Sequence, residues 1–274
     1  MRRLLARLAR IVGIVFLSGI ACAMLARYAP GSMVDERELN PKAGEDSIAA
    51  LRAEKQISFP AELAHYLRGD LGYSESNHAS VGALIRDRAP VTLRELALGL
   101  AGGWLAGFVF AIPASRSARA SVYDAISAAG SGLLMSLPAA LLAYLSVLAG
   151  APSVIVLIAV IAPKIFEFSK NLLRDAYRAA HIDTARARGI GEFRIFLAYA
   201  LPSVAPQIAG LAAASVSLAI GAAIPIEAIC EVPGLGRLAW QAAMARDLPL
   251  LVNLTMLVAL ATTCAAMLTE TEKA

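Results

Sequence analysis

Three charged side chains interrupt an otherwise apolar helical run: Lys164, Glu167 and Lys170, at i, i+3 and i+6. A charge at the middle of a hydrocarbon layer costs roughly 2.5–3.5 kcal/mol on insertion scales, so such residues face protein or water. One reading makes Lys164 and Glu167 the lining of a polar route through the layer. The other ends the helix early, pairs the opposite charges and lets the lysines snorkel. Arg174, close behind, favours the second. Two more acids, Glu227 and Glu231, follow another apolar run, where they are either contact groups or ordinary solvated loop acids.

Other chemistry finds little support. The sequence has no G-x-x-x-x-G-K-[ST] phosphate loop, no G-x-S-x-G elbow and no H-E-x-x-H pair. Nothing in it would cradle ATP phosphates, and a hydrolase reading has no motif to rest on. Cys22, Cys230 and Cys264 are scattered, as are His65, His78 and His181. Their spacings suggest neither a metal site nor a disulfide framework. No metal and no cofactor are expected.

The elements that must position these charges are membrane helices. Of 274 residues, 58% are hydrophobic and 17% charged, against about 45–50% and about 25% in soluble domains. Charges are absent from 11–26, 96–115, 125–163, 201–226 and 248–269. A crossing needs about 20 mainly apolar residues. The third run is 39 residues long and contains Gly150-Ala151-Pro152, a turn signal. It divides into helices near 126–149 and 153–172, the second carrying Lys164, Glu167 and Lys170. The expectation is an all-α membrane protein with six transmembrane helices. The first run, behind Arg2, Arg3, Arg7 and Arg10, reads as an uncleaved signal anchor.

Loop charge sets the orientation, because arginine and lysine concentrate in cytoplasmic loops. The basic N-terminus, the segment with Arg116 and Arg119 against Asp124, and segment 174–194 with five arginines and three acids all belong inside. Both termini are then cytoplasmic and 28–90 lies outside. In that region 47–55, 60–67 and 81–88 read as short helical pieces, and the second membrane helix begins near Pro90. In the long inner loop, 175–188 is Ala- and Arg-rich and helical, Gly189 stops it, and a second short helix over 192–201 ends at Pro202. Pro138 and Pro225 are sites of structural kinks.

The inner loop reads Asp183-Thr184-Ala185-Arg186-Ala187-Arg188-Gly189, then after nine residues Tyr199-Ala200-Leu201-Pro202. This resembles the EAA signature of ABC importer permeases, with its acidic-Ala-Ala triplet, following Gly and later Leu-Pro. Small residues such as Ala185 and Ala187 would let a soluble ATPase approach closely. Leu51-Arg52, Pro60, Tyr66, Gly69-Asp70-Leu71-Gly72-Tyr73-Ser74 and Val81, Leu84-Ile85, Arg88, Pro90, Thr92-Leu93 resemble the dipeptide/oligopeptide/nickel permease family. So do Arg27 with Ala29-Pro30-Gly31, and Glu231-Val232-Pro233-Gly234-Leu235-Gly236-Arg237-Leu238 with Ala245-Arg246-Asp247-Leu248-Pro249. The sequence departs from that family at Ser32-Met33, in a loop shortened to 150–153, at Tyr199, and in a C-terminus without the usual basic tail.

The resemblance implies a type I ABC importer permease fold. Residues 1–27 would form the cytoplasmic segment and first helix, 28–90 a periplasmic region, and 91–274 the permease core with its coupling loop at 174–201. It implies a second permease subunit, cytoplasmic ATPases that hydrolyse the ATP, and an extracytoplasmic binding protein. Asp183 to Gly189 with Leu201 and Pro202 would meet the ATPase. Lys164, Glu167, Glu227 and Glu231 would be pathway or binding-protein contacts. The implied solute is a short peptide, with a nickel chelate or another small polar solute as the alternative. A non-transporting scaffold or membrane enzyme is the rival from another class.

Overall fold

The computed structural model describes residues 2–28, 71–116 and 122–270. The turn at Ala29-Pro30-Gly31, the motif residues Leu51, Arg52, Pro60, Tyr66, Gly69 and Asp70, the helical pieces expected over 47–55 and 60–67, Arg119 and the last four residues lie outside that set.

The described elements are helical apart from one two-residue-strand hairpin. They are α1 (Arg2–Tyr28), β1 (Tyr73–Ser74), β2 (Ala79–Ser80), α2 (Val81–Arg116), α3 (Val122–Ser136), α4 (Ala139–Leu148), α5 (Ser153–Tyr177), α6 (Ala180–Ala187), α7 (Glu192–Ile195), α8 (Leu201–Ile229), α9 (Leu235–Ala245) and α10 (Leu248–Glu270). The strands pair antiparallel, Tyr73 with Ser80 and Ser74 with Ala79. Two compact units emerge, one drawn from the described parts of Met1–Arg88 with Leu238–Leu260, the other from those of Ala89–Arg237 with Ala261–Ala274.

Three helical stretches are long and apolar enough to cross a membrane: Val81–Ser115, Glu192–Ile229 and Leu248–Met267. A fourth exists if the bent pair α3–α4 counts as one span. The expected six are not reached by length and composition. The apolar part of α1 is Ala9–Leu25, a little short, and α5 carries Lys164, Glu167, Lys170 and Arg174.

The prolines account for most differences from the sequence reading. The expected helix start near Pro90 is absent, because α2 begins at Val81 and runs through both Pro90 and Pro113. An internal proline removes one backbone bond and crowds the carbonyl four residues back, and α2 absorbs this at Pro90 without a break. Pro138 does the opposite, and the kink expected there is present and sharp enough to divide the helix. It caps α4 in an extended conformation (φ −61°, ψ 141°), and the chain turns by 95° between α3 and α4. The single helix expected over 126–149 is therefore two. Pro202 does not end a helix either. Phe196–Ala200 forms a π turn that leads directly into α8, with Pro202 in its first turn. The wider turn relieves the clash that the proline ring would make in an α-helix.

The core of the larger unit lies between α5 and α8. Ile161, Ile165, Leu211 and Ala219 are buried together, with Trp104 and Phe108 of α2 packed against them. Close approach by α2 depends on glycine, since a Cβ at Gly103 or Gly107 would stand 2.7 Å from side-chain atoms of Ile161 or Ile165. Trp104 Nε1 donates to Ser215 Oγ at 3.0 Å, satisfying the indole within this packing.

Candidate functional site

The 183–189 segment forms α6 and its end. Ile182 and Ala185 face inward, buried with Leu173, Tyr177, Ile195 and Val204. Ala185, 3% exposed, is small because the chain's own helices press on it. It is not offered to an incoming partner, which corrects half of the close-approach argument. Ala187 is exposed, as are Asp183, Thr184, Arg186 and Arg188. Arg186 joins the two halves of the loop: Nε donates to Glu192 Oε1 at 2.8 Å, and Nη1 lies 3.5 Å from Asp183. The hydrogen bond that Arg186 donates to Glu192, with both carboxylates nearby, holds the guanidinium above its ordinary value.

The helix ends as the sequence requires. Gly189 stands at φ 74°, Ile190 N–H donates to Ala185 O at 3.2 Å, and Gly189 N–H to Arg186 O at 2.9 Å. That pair of bonds is a Schellman motif. Ile190, the residue after the glycine, packs against the same core as Ala185. Beyond it Phe193 is 74% exposed, a large apolar side chain beside a charged face. Leu201 and Pro202 lie one π turn further on, inside the membrane-length stretch Glu192–Ile229. They are not part of the exposed loop, contrary to the expected helix end.

Glu227 and Glu231 separate completely. Glu227 is 1% exposed, and its Oε2 accepts Gly236 N–H at 2.6 Å and Arg237 N–H at 3.3 Å. Thr92 Oγ1 accepts Leu235 N–H at 2.7 Å. These three amides open α9, where backbone donors have no helical partner. The apolar-looking Pro233-Gly234-Leu235-Gly236 segment is shaped by this contact. A Cβ on Gly234 would run into the Glu227 carboxylate and Thr92 Oγ1, and one on Gly236 would stand 2.8 Å from Ile224 Cα. Glu227 is thus a buried clasp and does not face solute or partner. Glu231 remains exposed, at φ 55°, its carbonyl accepting Arg237 Nη1 at 2.6 Å.

A second clasp, which sequence reasoning missed, joins the hairpin to the start of α10. Asp247, 6% exposed, accepts Ser74 Oγ at 2.6 Å, Ser76 Oγ at 2.7 Å and Ser76 N–H at 3.2 Å on one oxygen, and Leu250 N–H at 3.2 Å on the other. It pins the hairpin and caps α10. Asn253 Nδ2 adds bonds to Leu71 O and Pro249 O at 2.8 and 2.7 Å. The signal was an aspartate just before Leu248-Pro249, an N-cap position.

Lys164 and Glu167 part as well. Glu167 lies 2.7 Å from Lys170 Nζ and accepts Ser131 Oγ at 2.5 Å. Lys170 is buried and sits 4.8 Å from the Phe166 ring centroid, so it does not snorkel. Lys164 is exposed. Among the described residues no group of three or more metal-ligating side chains converges.

A membrane-helical chain with a Schellman-stopped charged helix between two long helices matches one family model. Residues 102–270 correspond to the inner membrane component of binding-protein-dependent transport systems, and the chain belongs to that family. It is thus a multi-pass inner membrane component of a transporter. Its relatives are peptide permeases. A protein of Brucella suis biovar 1 named as a peptide permease is 26% identical, covering 90% of this chain and 88% of its own. The oligopeptide transport system permease protein OppB of Escherichia coli is 28% identical over 85% of this chain and 84% of its own.

Proposed function

We propose that the chain is one of two permease subunits of an ATP-driven importer for short peptides, coupled to separate cytoplasmic ATPases through α6. Six crossings with both termini inside accommodate the charge pattern: α1 and α5 then span beside the four apolar stretches, with 28–90 and the α8–α10 connection outside. An extracytoplasmic binding protein delivers the solute there. The observation that carries the reading is the 180–193 segment, an exposed, charged helix anchored from below by Ile182 and Ala185 and closed by Gly189. A rigid helix of this kind transmits a push to α5 and α8 on either side of it, switching access as a body. Peptide as the solute rests on the named relatives.

The test uses the assembled transporter. Ala187→Glu adds bulk and charge on the exposed face without touching the core. Gly189→Val places a β-branched residue at positive φ, where it is strained. Both are expected to insert in the membrane, yet to lose co-purification of the ATPase and ATP-dependent uptake. Glu75→Ala, on the exposed hairpin, is the control and should behave as wild type. Full ATPase binding and full uptake by both loop variants would reduce α6 to a basic loop and remove the coupling argument.

A further inference from the structure

α5 sorts its polar groups onto two faces. Inward, Lys170 pairs with Glu167, Ser131 of α3 holds the other carboxylate oxygen, and Arg174 Nη2 donates to Ala114 O at 3.0 Å. Outward stand Lys164, Asn171 and Asp175, with the apolar Phe168 between them, all exposed. Their spacing of i, i+4, i+7 and i+11 makes a single stripe along the helix. Lys164 stands roughly 17 Å along the axis from Ser153 at the helical rise, which in the six-crossing arrangement proposed above is close to the middle of α5's crossing. It has no ion-pair partner among the described residues.

An ammonium at that depth does not rest in hydrocarbon. Tight contacts between membrane helices are built from small residues that let backbones approach, and this stripe has none. Glu167 is already held by Lys170 and Ser131, so the free charge on α5 at mid-depth is positive. The exposed acid on the same stripe, Asp175, lies eleven residues on, roughly 17 Å away at the helical rise.

We infer that Lys164 is a specificity-determining residue of the route, its ammonium taking the free carboxylate of the solute as it passes α5. For a short peptide this is the C-terminal carboxylate. The inference rests on the peptide-import reading above and assigns the group that would recognise one end of the peptide.

The experiment uses the complete transporter, with partner permease, ATPases and binding protein, in proteoliposomes. Initial ATP-driven uptake of trialanine and of trialanine amide is measured at saturating peptide, so that the binding protein's own preference drops out. Wild type should favour the acid. Lys164→Gln should lower trialanine uptake about tenfold, the scale of one lost hydrogen bond to a charged group, and bring the acid-to-amide ratio towards one. Lys164→Arg should restore the ratio. An unchanged ratio in well-assembled Lys164→Gln overturns the assignment. So does loss of the partner permease from that variant with the ratio intact, since the ammonium would then meet a neighbouring subunit's acid. Uptake of neither peptide by a wild-type complex that hydrolyses ATP overturns the peptide reading itself, and the assignment with it.

Discussion

Glu227 and Asp247 differ from Asp183 and Glu192 in surroundings, although all four are carboxylates near helix ends. The first two are buried and accept backbone amides from the start of α9 or α10. The second two hold Arg186 on the surface, with side chains 72% and 47% exposed. A buried carboxylate that loses its donors keeps the cost of desolvation, whereas an exposed ion pair contributes about 0–1 kcal/mol. The clasps therefore fix structure. The loop is held by Ile182, Ala185 and the Gly189 turn, and its charged side chains stand at the surface.

The largest expected effect follows from the clasp with most donors. Asp247→Ala removes the acceptor for Ser74, Ser76 and Leu250 together, and of these Ser74 and Leu250 are buried. The expected loss is about 3 kcal/mol, seen as a lower thermal midpoint of the detergent-solubilised protein and earlier proteolysis at the 73–80 hairpin. Asp183→Ala in parallel should shift neither by more than the scatter. Equal shifts in the two variants would abolish the distinction between clasp and loop.

Crowding comes next. Gly236 has an ordinary backbone, but a Cβ there would meet the α8 backbone at Ile224 and Ala223. Gly236→Ala forces a backbone to move and should cost about 1–3 kcal/mol, measured by the same midpoint. If it is tolerated, the first turn of α9 is not seated on Glu227 as described.

How much of this was legible in the sequence depended on how local the cause was. The stop at Gly189 and the turn at Gly150, at φ 64°, follow from a glycine after a helical run, and both were expected. The prolines were not separable by sequence. Pro90 passes through a helix, Pro138 makes a 95° bend and Pro202 sits behind a π turn, because each outcome depends on what neighbouring elements offer the disturbed backbone. Glu227 looked like a loop acid because its co-partner Thr92 lies on α2, far away in the chain. The paired glycines after Pro233 were the available hint of a close approach. Lys170 was expected at a water boundary and is buried, since Phe166, Glu167 and Ser131 supply locally what water would have supplied.

The smallest effect separates two helix ends that each close on a left-handed residue. α6 has both bonds of the Schellman motif, and α8 shares the longer one, Val232 N–H to Glu227 O at 3.0 Å. The left-handed residue is Gly189 in one and Glu231, at φ 55°, in the other. A side chain in that conformation costs roughly 1–2 kcal/mol, partly offset because glycine loses more freedom on folding, by about 0.5–1 kcal/mol. Glu231→Gly should therefore stabilise the protein by about 0.5 kcal/mol, and its carbonyl bond to Arg237 is retained because it belongs to the backbone. Gly189→Ala should destabilise by a similar amount, with no clash to add, since nothing lies within 4 Å of a Cβ there. Midpoints that move in opposite directions support the shared left-handed closure. Movement in the same direction, or a loss on Glu231→Gly, would mean that the exposed Glu231 side chain makes a contact worth more than its backbone strain, and the end of α8 would then be a binding surface in its own right.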